Sequence, residues 1–144
     1  MSLDQSSLAP LLVAAGGGPY ALSDDILFAH DAPVVGIDSS SYLKAKEINV
    51  GYFKGTIRVA FKMKAPTGGA HWVSARIYKN GVALGTEQGQ ENVAYIEYSE
   101  DLAFGVNDLL QLYVKNSDAG QVPTVKELRI LGKFPIPVVP AITL

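Results

Sequence analysis

Two histidines, two adjacent carboxylate pairs and a run of three glycines are the residues here whose types could do chemistry. A nucleophilic site needs a hydroxyl or thiol beside a base, and the bases on offer are His30 and His71. Neither sits in a catalytic motif. His71 borders a glycine turn and precedes Trp72, which reads as a loop position. A Ser-His-Asp arrangement assembles from distant sequence, and nothing in this chain raises its odds. Cysteine is absent, so thiol catalysis, disulfides and cysteine-based zinc sites are excluded together. Asp24-Asp25 and Glu100-Asp101 are carboxylate pairs of the kind glycoside hydrolysis uses. Neighbours in a strand point to opposite faces, however, and both pairs read as turn residues that cap and solvate. Asp24, Asp25, Asp31 and Asp38 offer loop oxygens to a calcium ion but lack the spacing of an EF-hand loop. No Gly-Lys-Ser/Thr follows Gly16-Gly17-Gly18, so this run is an arm rather than a phosphate loop. The chain is therefore read as a non-enzyme with no catalytic residue, cofactor or metal.

Aromatic residues give a different kind of chemistry. Trp72, Tyr78, Tyr95 and Tyr113 could share a sheet face and stack on sugar rings. The simpler expectation is that they fill the core or a subunit interface, since no loop rich in Asn, Asp and Gln accompanies them.

These residues must be positioned by strands. Thr56–Lys64 alternates cleanly, with Ile57, Val59, Phe61 and Met63 on one face and Arg58, Ala60, Lys62 and Lys64 on the other. In Trp72–Lys79 the faces are Val73, Ala75 and Ile77 against Trp72, Ser74, Arg76 and Tyr78. Asn80-Gly81 follows at once, the signal of a type I′ hairpin, with Val82–Thr86 returning. Ile26–Ala29, Tyr42–Val50, Val93–Tyr98, Leu109–Lys115 and Thr124–Leu131 complete about eight short strands. Ser99-Glu100-Asp101 reads as a polar break, and Leu110, Leu112 and Val114 point inward. Nothing after Ser23 has a helical period. The fold expected is all-β: one antiparallel sandwich, a jelly roll or related Greek key.

With 144 residues and 48% hydrophobic content, one domain can bury a core without a staple. Charged residues are 18% and the net charge is −2, with no basic stripe, so nucleic acid is not an expected partner. Leu8–Ala15 is apolar but far short of the ~20 residues that span a bilayer, and Asp4 stands where a signal peptide carries positive charge. No membrane partner and synthesis in the cytoplasm are expected.

The organisation expected is an arm over 1–23, the sandwich over 24–132 and an apolar Pro-rich arm over 133–144. Pro135, Pro137 and Pro140 remove amide donors, so the last segment cannot be an inner strand. Its Phe134, Ile136, Val138, Val139, Ile142 and Leu144, with Leu8, Leu11, Leu12 and Val13 of the first arm, are the candidate partner-binding residues. Such arms add to a neighbour's sheet edge or lie in its grooves.

Three stretches also resemble a β-sandwich module of tailed-bacteriophage and prophage virion proteins. They are "GTIRVAF" at Gly55–Phe61, "RIYKNGVALGTE" at Arg76–Glu87 and "YSEDLAFGVNDLLQLY" at Tyr98–Tyr113. Asn107-Asp108 stands where that pattern has Gly-Asp. The resemblance spans roughly Tyr42 to Leu131 and carries no catalytic residue. It implies a structural virion protein, foremost a capsid decoration (cement) protein. Such a protein stabilises the shell by binding major capsid subunits and self-associates, as a trimer in the decoration proteins. The alternative is a carbohydrate-binding or receptor-binding module of a phage fibre or tail.

Overall fold

A computed structural model describes residues 21–67 and 71–133 of the chain. Their strands are β1 (Ala21–His30), β2 (Val34–Val35), β3 (Leu43–Asn49), β4 (Gly55–Lys64), β5 (Val73–Lys79), β6 (Val82–Ala83), β7 (Gln88–Gln90), β8 (Ile96–Phe104), β9 (Leu109–Asn116) and β10 (Thr124–Lys133). One sheet runs β1–β10–β4–β8, with β2 beside β10; the other runs β3–β9–β5–β6, with β7 beside β5. All pairings are antiparallel. The two sheets pack as a sandwich, and no helix occurs among the described residues.

Ten strands replace the eight expected because two edge strands are interrupted. β1 and β2 lie along the same edge of β10, separated by Asp31-Ala32-Pro33. β6 and β7 likewise share one edge of β5, separated by Leu84–Glu87. Runs of two or three residues between turns are too short to show a period in sequence.

The alternation read from the sequence sets the faces. Ile57, Val59, Phe61 and Met63 of β4 meet Val73, Ala75 and Ile77 of β5 and Leu110, Leu112 and Val114 of β9 in the core. Each such aliphatic side chain contributes roughly 1.5–3 kcal/mol by leaving water. In β10 the inward residues are Val125, Leu128 and Ile130, a change of phase explained by a register shift between Lys126 and Arg129. Glu127 sits in that bulge at φ 54, and its carboxylate lies 3.0 Å from the Lys62 ammonium.

Asn80 and Gly81 have φ of 50 and 82, the positive pair that a type I′ turn demands. Asn107, at φ 62, occupies the place where the resembled pattern has glycine; asparagine tolerates that region better than other side chains. Asp108 closes the same turn by accepting from the Gly105 amide at 2.6 Å, and this bond, with Asn80, lowers its pKa.

Both carboxylate pairs lie in strands, not turns. Asp24-Asp25 is inside β1, and Ser99-Glu100-Asp101 is inside β8. Polar residues suit an edge strand, whose outward side is solvated. Asp101 turns outward to Arg58, while Glu100 turns inward at the open rim and accepts from the amide and hydroxyl of Thr86. That contact ties β8 to the β6–β7 connection.

The opposite rim is tied by a lysine. A bulge between Lys44 and Lys46 brings Lys46 to the inner side of β3, across from Leu112 and only 3% exposed. Its ammonium donates to Nδ1 of His30 at 2.8 Å and to the His30 carbonyl at 3.1 Å. Burial lowers its pKa, with the nearby Asp31 carboxylate opposing. Below the ordinary lysine value the unfolded chain therefore binds the extra proton, and this group's contribution to stability grows as pH rises through that window. Lys46→Met keeps the stem and removes the charge, so stability at neutral pH should stay within about 1 kcal/mol or rise. Urea melts between neutral pH and the ordinary lysine pKa should show the gain in the parent and not in the variant.

Candidate ligand-binding face

Because Val73, Ala75 and Ile77 point inward, the alternating residues Trp72, Ser74, Arg76 and Tyr78 emerge on the outer side of β5. In β9 the same logic directs Gln111, Tyr113 and Lys115 to that side. Register places Lys115 opposite Ser74, Tyr113 opposite Arg76, and Gln111 opposite Tyr78. On the other flank Lys44 faces Tyr113 and Glu47 faces Gln111. Tyr42, just before β3, completes the group.

The rings touch in sequence across the sheet. Tyr78 and Tyr113 stack with centroids 3.8 Å apart and planes 9° from parallel. Tyr42 leans on Tyr78 at 5.9 Å, and the Lys115 ammonium sits 4.6 Å over the Tyr42 ring. The Tyr42 hydroxyl is buried with no hydrogen-bond partner among the described residues. Burial first, then the Glu87 carboxylate, push its pKa well above the usual phenol value, so it remains a neutral donor.

Two of the three cations on this face are ion-paired, and the third, Arg76, is held by a backbone carbonyl. Lys44 pairs with Glu47 at 2.7 Å, Lys115 with Glu87 at 3.6 Å, and Arg76 Nε donates to the Gly85 carbonyl. Gln111 is buried, donating to Glu47 and accepting from the Gly81 amide. The result is an aromatic and polar surface without a strong field, suited to a neutral, hydroxyl-rich ligand.

Trp72, just before β5 on the same side, is 46% exposed. Its carbonyl accepts from the amide of Ser117, fixing its main chain. The Nε1–Cε2–Cζ2 edge of its indole occupies the space above Gly89, where an added Cβ would fall 2.6 Å from Nε1. Real Cβ atoms do not come so close, so the indole must move if Gly89 gains a side chain. Gly89→Ala should shift the tryptophan emission maximum while leaving the unfolding free energy within about 1 kcal/mol of the parent, as expected for a surface change.

Of the four aromatics singled out in the sequence, three share this face. Tyr95 does not; it precedes β8 and lies under Lys64 and Lys126, with Nζ 5.0 and 4.2 Å from its ring. None of the three fills the core, which corrects that part of the expectation. Tyr42 was missed, though its alternation with Lys44 was the available signal.

The other candidates are dispersed. His71 Nδ1 donates to Asp118 at 2.9 Å and His30 accepts from Lys46, so each histidine is tied to a charged neighbour. Asp24, Asp31 and Asp38 go separately to Arg58, Arg129 and the Asn116–Gly120 loop. No group of three or more metal-ligating side chains occurs among the described residues. Leu8, Leu11, Leu12, Val13, Phe134, Ile136, Val138, Val139, Ile142 and Leu144 lie outside the described residues.

No family model and no curated protein matches the chain. Solved structures do. One is the CBM22-1 xylan-binding domain from Paenibacillus barcinonensis Xyn10C, at TM-score 0.50 and 12% identity, covering 81% of this chain and 99% of that one. Another is the CBM36-1 domain of a multidomain xylanase from the hindgut metagenome of Trinervitermes trinervoides, at TM-score 0.52 and 11% identity, covering 72% and 98%. The chain has the β-sandwich fold of these two modules. At such identities the likeness concerns the path of the backbone alone.

Proposed function

We propose that this chain is a carbohydrate-binding module that holds a neutral glycan on the outer face of the β3–β9–β5–β6 sheet. The observation that carries the reading is Trp72, nearly half exposed on the same outer face as three contacting tyrosines. An exposed indole offers a flat apolar surface on which a sugar ring can stack. A sugar ring offers C–H groups to its π-face and hydroxyls to polar neighbours such as Lys44 and the hydroxyls of Tyr78 and Tyr113. The fold supports the reading, since the two solved neighbours are named as binding modules. The openness of the same surface, with Lys44 and Lys115 each held by a carboxylate, supports binding rather than catalysis.

Xylan is the first ligand to test, because one neighbour is named for binding it. Native gels cast with soluble xylan, a mixed-linkage glucan or polygalacturonate would rank the classes. Retardation by a neutral polymer, with a tryptophan emission shift on adding its oligosaccharide, is expected. Migration unchanged in every neutral polymer, with unresponsive fluorescence, removes the proposal.

A second reading, the capsid-decoration subunit of a tailed phage, is favoured by an apolar strip on the β1–β2 edge. Ile26, Phe28, Val35 and Ile37 are all exposed there, Phe28 at 49%. A second copy of the chain would cover such a strip in a shell. Light scattering on the full chain and on Phe28→Glu decides it. An oligomer lost in the variant supports self-association; a parent monomer at tens of micromolar removes the reading.

A further inference from the structure

The opposite side of the sandwich carries a separate feature. On the outer face of the β1–β10–β4–β8 sheet, Arg129, Ala60 and Ser99 stand abreast on three neighbouring strands. Ala60 is on the solvent side yet only 1% exposed, because it lies at the bottom of a trough. Two ridges of ion pairs wall the trough. Along one, the Arg58 guanidinium is held by Asp101 at 2.9 Å and Asp24 at 3.1 Å. Along the other, Arg129 donates through Nε and Nη2 to Asp31 at 2.9 Å, with Glu127 at 3.4 Å. The groove measures about 470 Å³ and is lined by Asp24, Ile26, Glu97, Ser99, Arg129 and Leu131.

We infer that this groove is a second binding site, for a neutral saccharide ring. Its volume falls in the range of about 300–1,000 Å³ typical of small-molecule sites. Its lining is unlike the usual apolar site and matches a polyol. Among the described residues, Nη1 of Arg129, the Ser99 hydroxyl and the Glu97 carboxylate have no hydrogen-bond partner, and all border the groove. Together they offer a donor, a donor-acceptor and an acceptor, the set that vicinal hydroxyls require. Ile26 and Leu131 give an apolar flank to a ring face. Arg129 is aimed by Asp31 on one side and by Glu127 on the other. Glu127 holds its position at φ 54, a strained conformation of the kind that clusters at ligand sites. Carboxylates outnumber the guanidinium in the lining, Asp24 and Glu97 against Arg129, so an anionic sugar is disfavoured. The site lies on the other sheet from Trp72 and does not depend on the aromatic face.

The test is an NMR titration of the full chain, reading the Ser99 and Arg129 amides, the Arg129 Nε–H and the Trp72 indole. The probes are methyl β-D-xylopyranoside, glycerol and sodium glucuronate. Saturable shifts at Ser99 and Arg129 with the xyloside, and at least tenfold weaker ones with glucuronate, are expected. Ser99→Tyr, an exposed edge-strand change that fills the trough, should abolish them and leave the Trp72 response unaltered. Trp72→Ala should leave the groove shifts in place. The inference is overturned if no saturable groove shift appears by about 50 mM xyloside, beyond the weakest affinities usually counted as binding. It is equally overturned if glycerol or glucuronate matches the xyloside, if Ser99→Tyr changes nothing, or if Trp72→Ala removes the groove response.

Discussion

Trp72→Ala is expected to weaken neutral-glycan binding at least tenfold, or about 1.4 kcal/mol, while the sandwich remains folded. The indole is exposed, so its loss opens no cavity in the core. Its main-chain carbonyl bonds to Ser117 survive the change, because they do not involve the side chain. Tyr78→Ala should cost less by itself, since Tyr113 can still present a ring, but it removes the partner of the 3.8 Å stack. Affinity electrophoresis and calorimetry on the parent and both variants check the order. Equal binding by Trp72→Ala and the parent would remove the aromatic face as the site. A melt run alongside separates this outcome from unfolding.

Leu112→Ala should have the largest effect on stability, a loss of roughly 2–5 kcal/mol. Leu112 is fully buried in β9, between Ile77 of β5 and Lys46 of β3 in register. A domain of this kind holds only about 5–15 kcal/mol in total, so the variant should sit near the edge of folding at 37 °C. The next residue, Tyr113, points to the opposite side and carries the aromatic stack. Binding should therefore fall in step with the folded fraction and not independently of it. Urea melts give the midpoint. A shift of less than about 1 kcal/mol would mean that the sheet centre repacks freely, contrary to close packing.

The difference between these two predictions follows from what can be read in one dimension. Alternation fixes which side of a strand a residue takes, so the inward sets of β4, β5 and β9 were legible, as was the outward parity of Trp72, Arg76 and Tyr78. The Asn80-Gly81 turn was legible because only a positive-φ pair closes a two-residue hairpin of that hand. Short pieces such as β2 and β7 were not, since two or three residues carry no period. Polar runs misled: Asp24-Asp25 and Ser99-Glu100-Asp101 look like turns but belong to edge strands, whose solvated side accepts charge.

By itself, then, the sequence determined an all-β sandwich, its core, its central hairpin and the outward sense of a few aromatics. These depend on local φ/ψ preference and on a period of two, both written along the chain. Tertiary structure alone decided which strands became neighbours. That choice stacked Tyr78 on Tyr113, brought in Tyr42, sent Tyr95 to the other sheet, and divided the carboxylates among Arg58, Arg129 and Asn116. It also set Ala60 between two ion-paired ridges. Pairing in space depends on strand order and on bulges at Lys44/Lys46 and Lys126/Arg129, and a single extra residue in a strand leaves no mark that alternation can reveal.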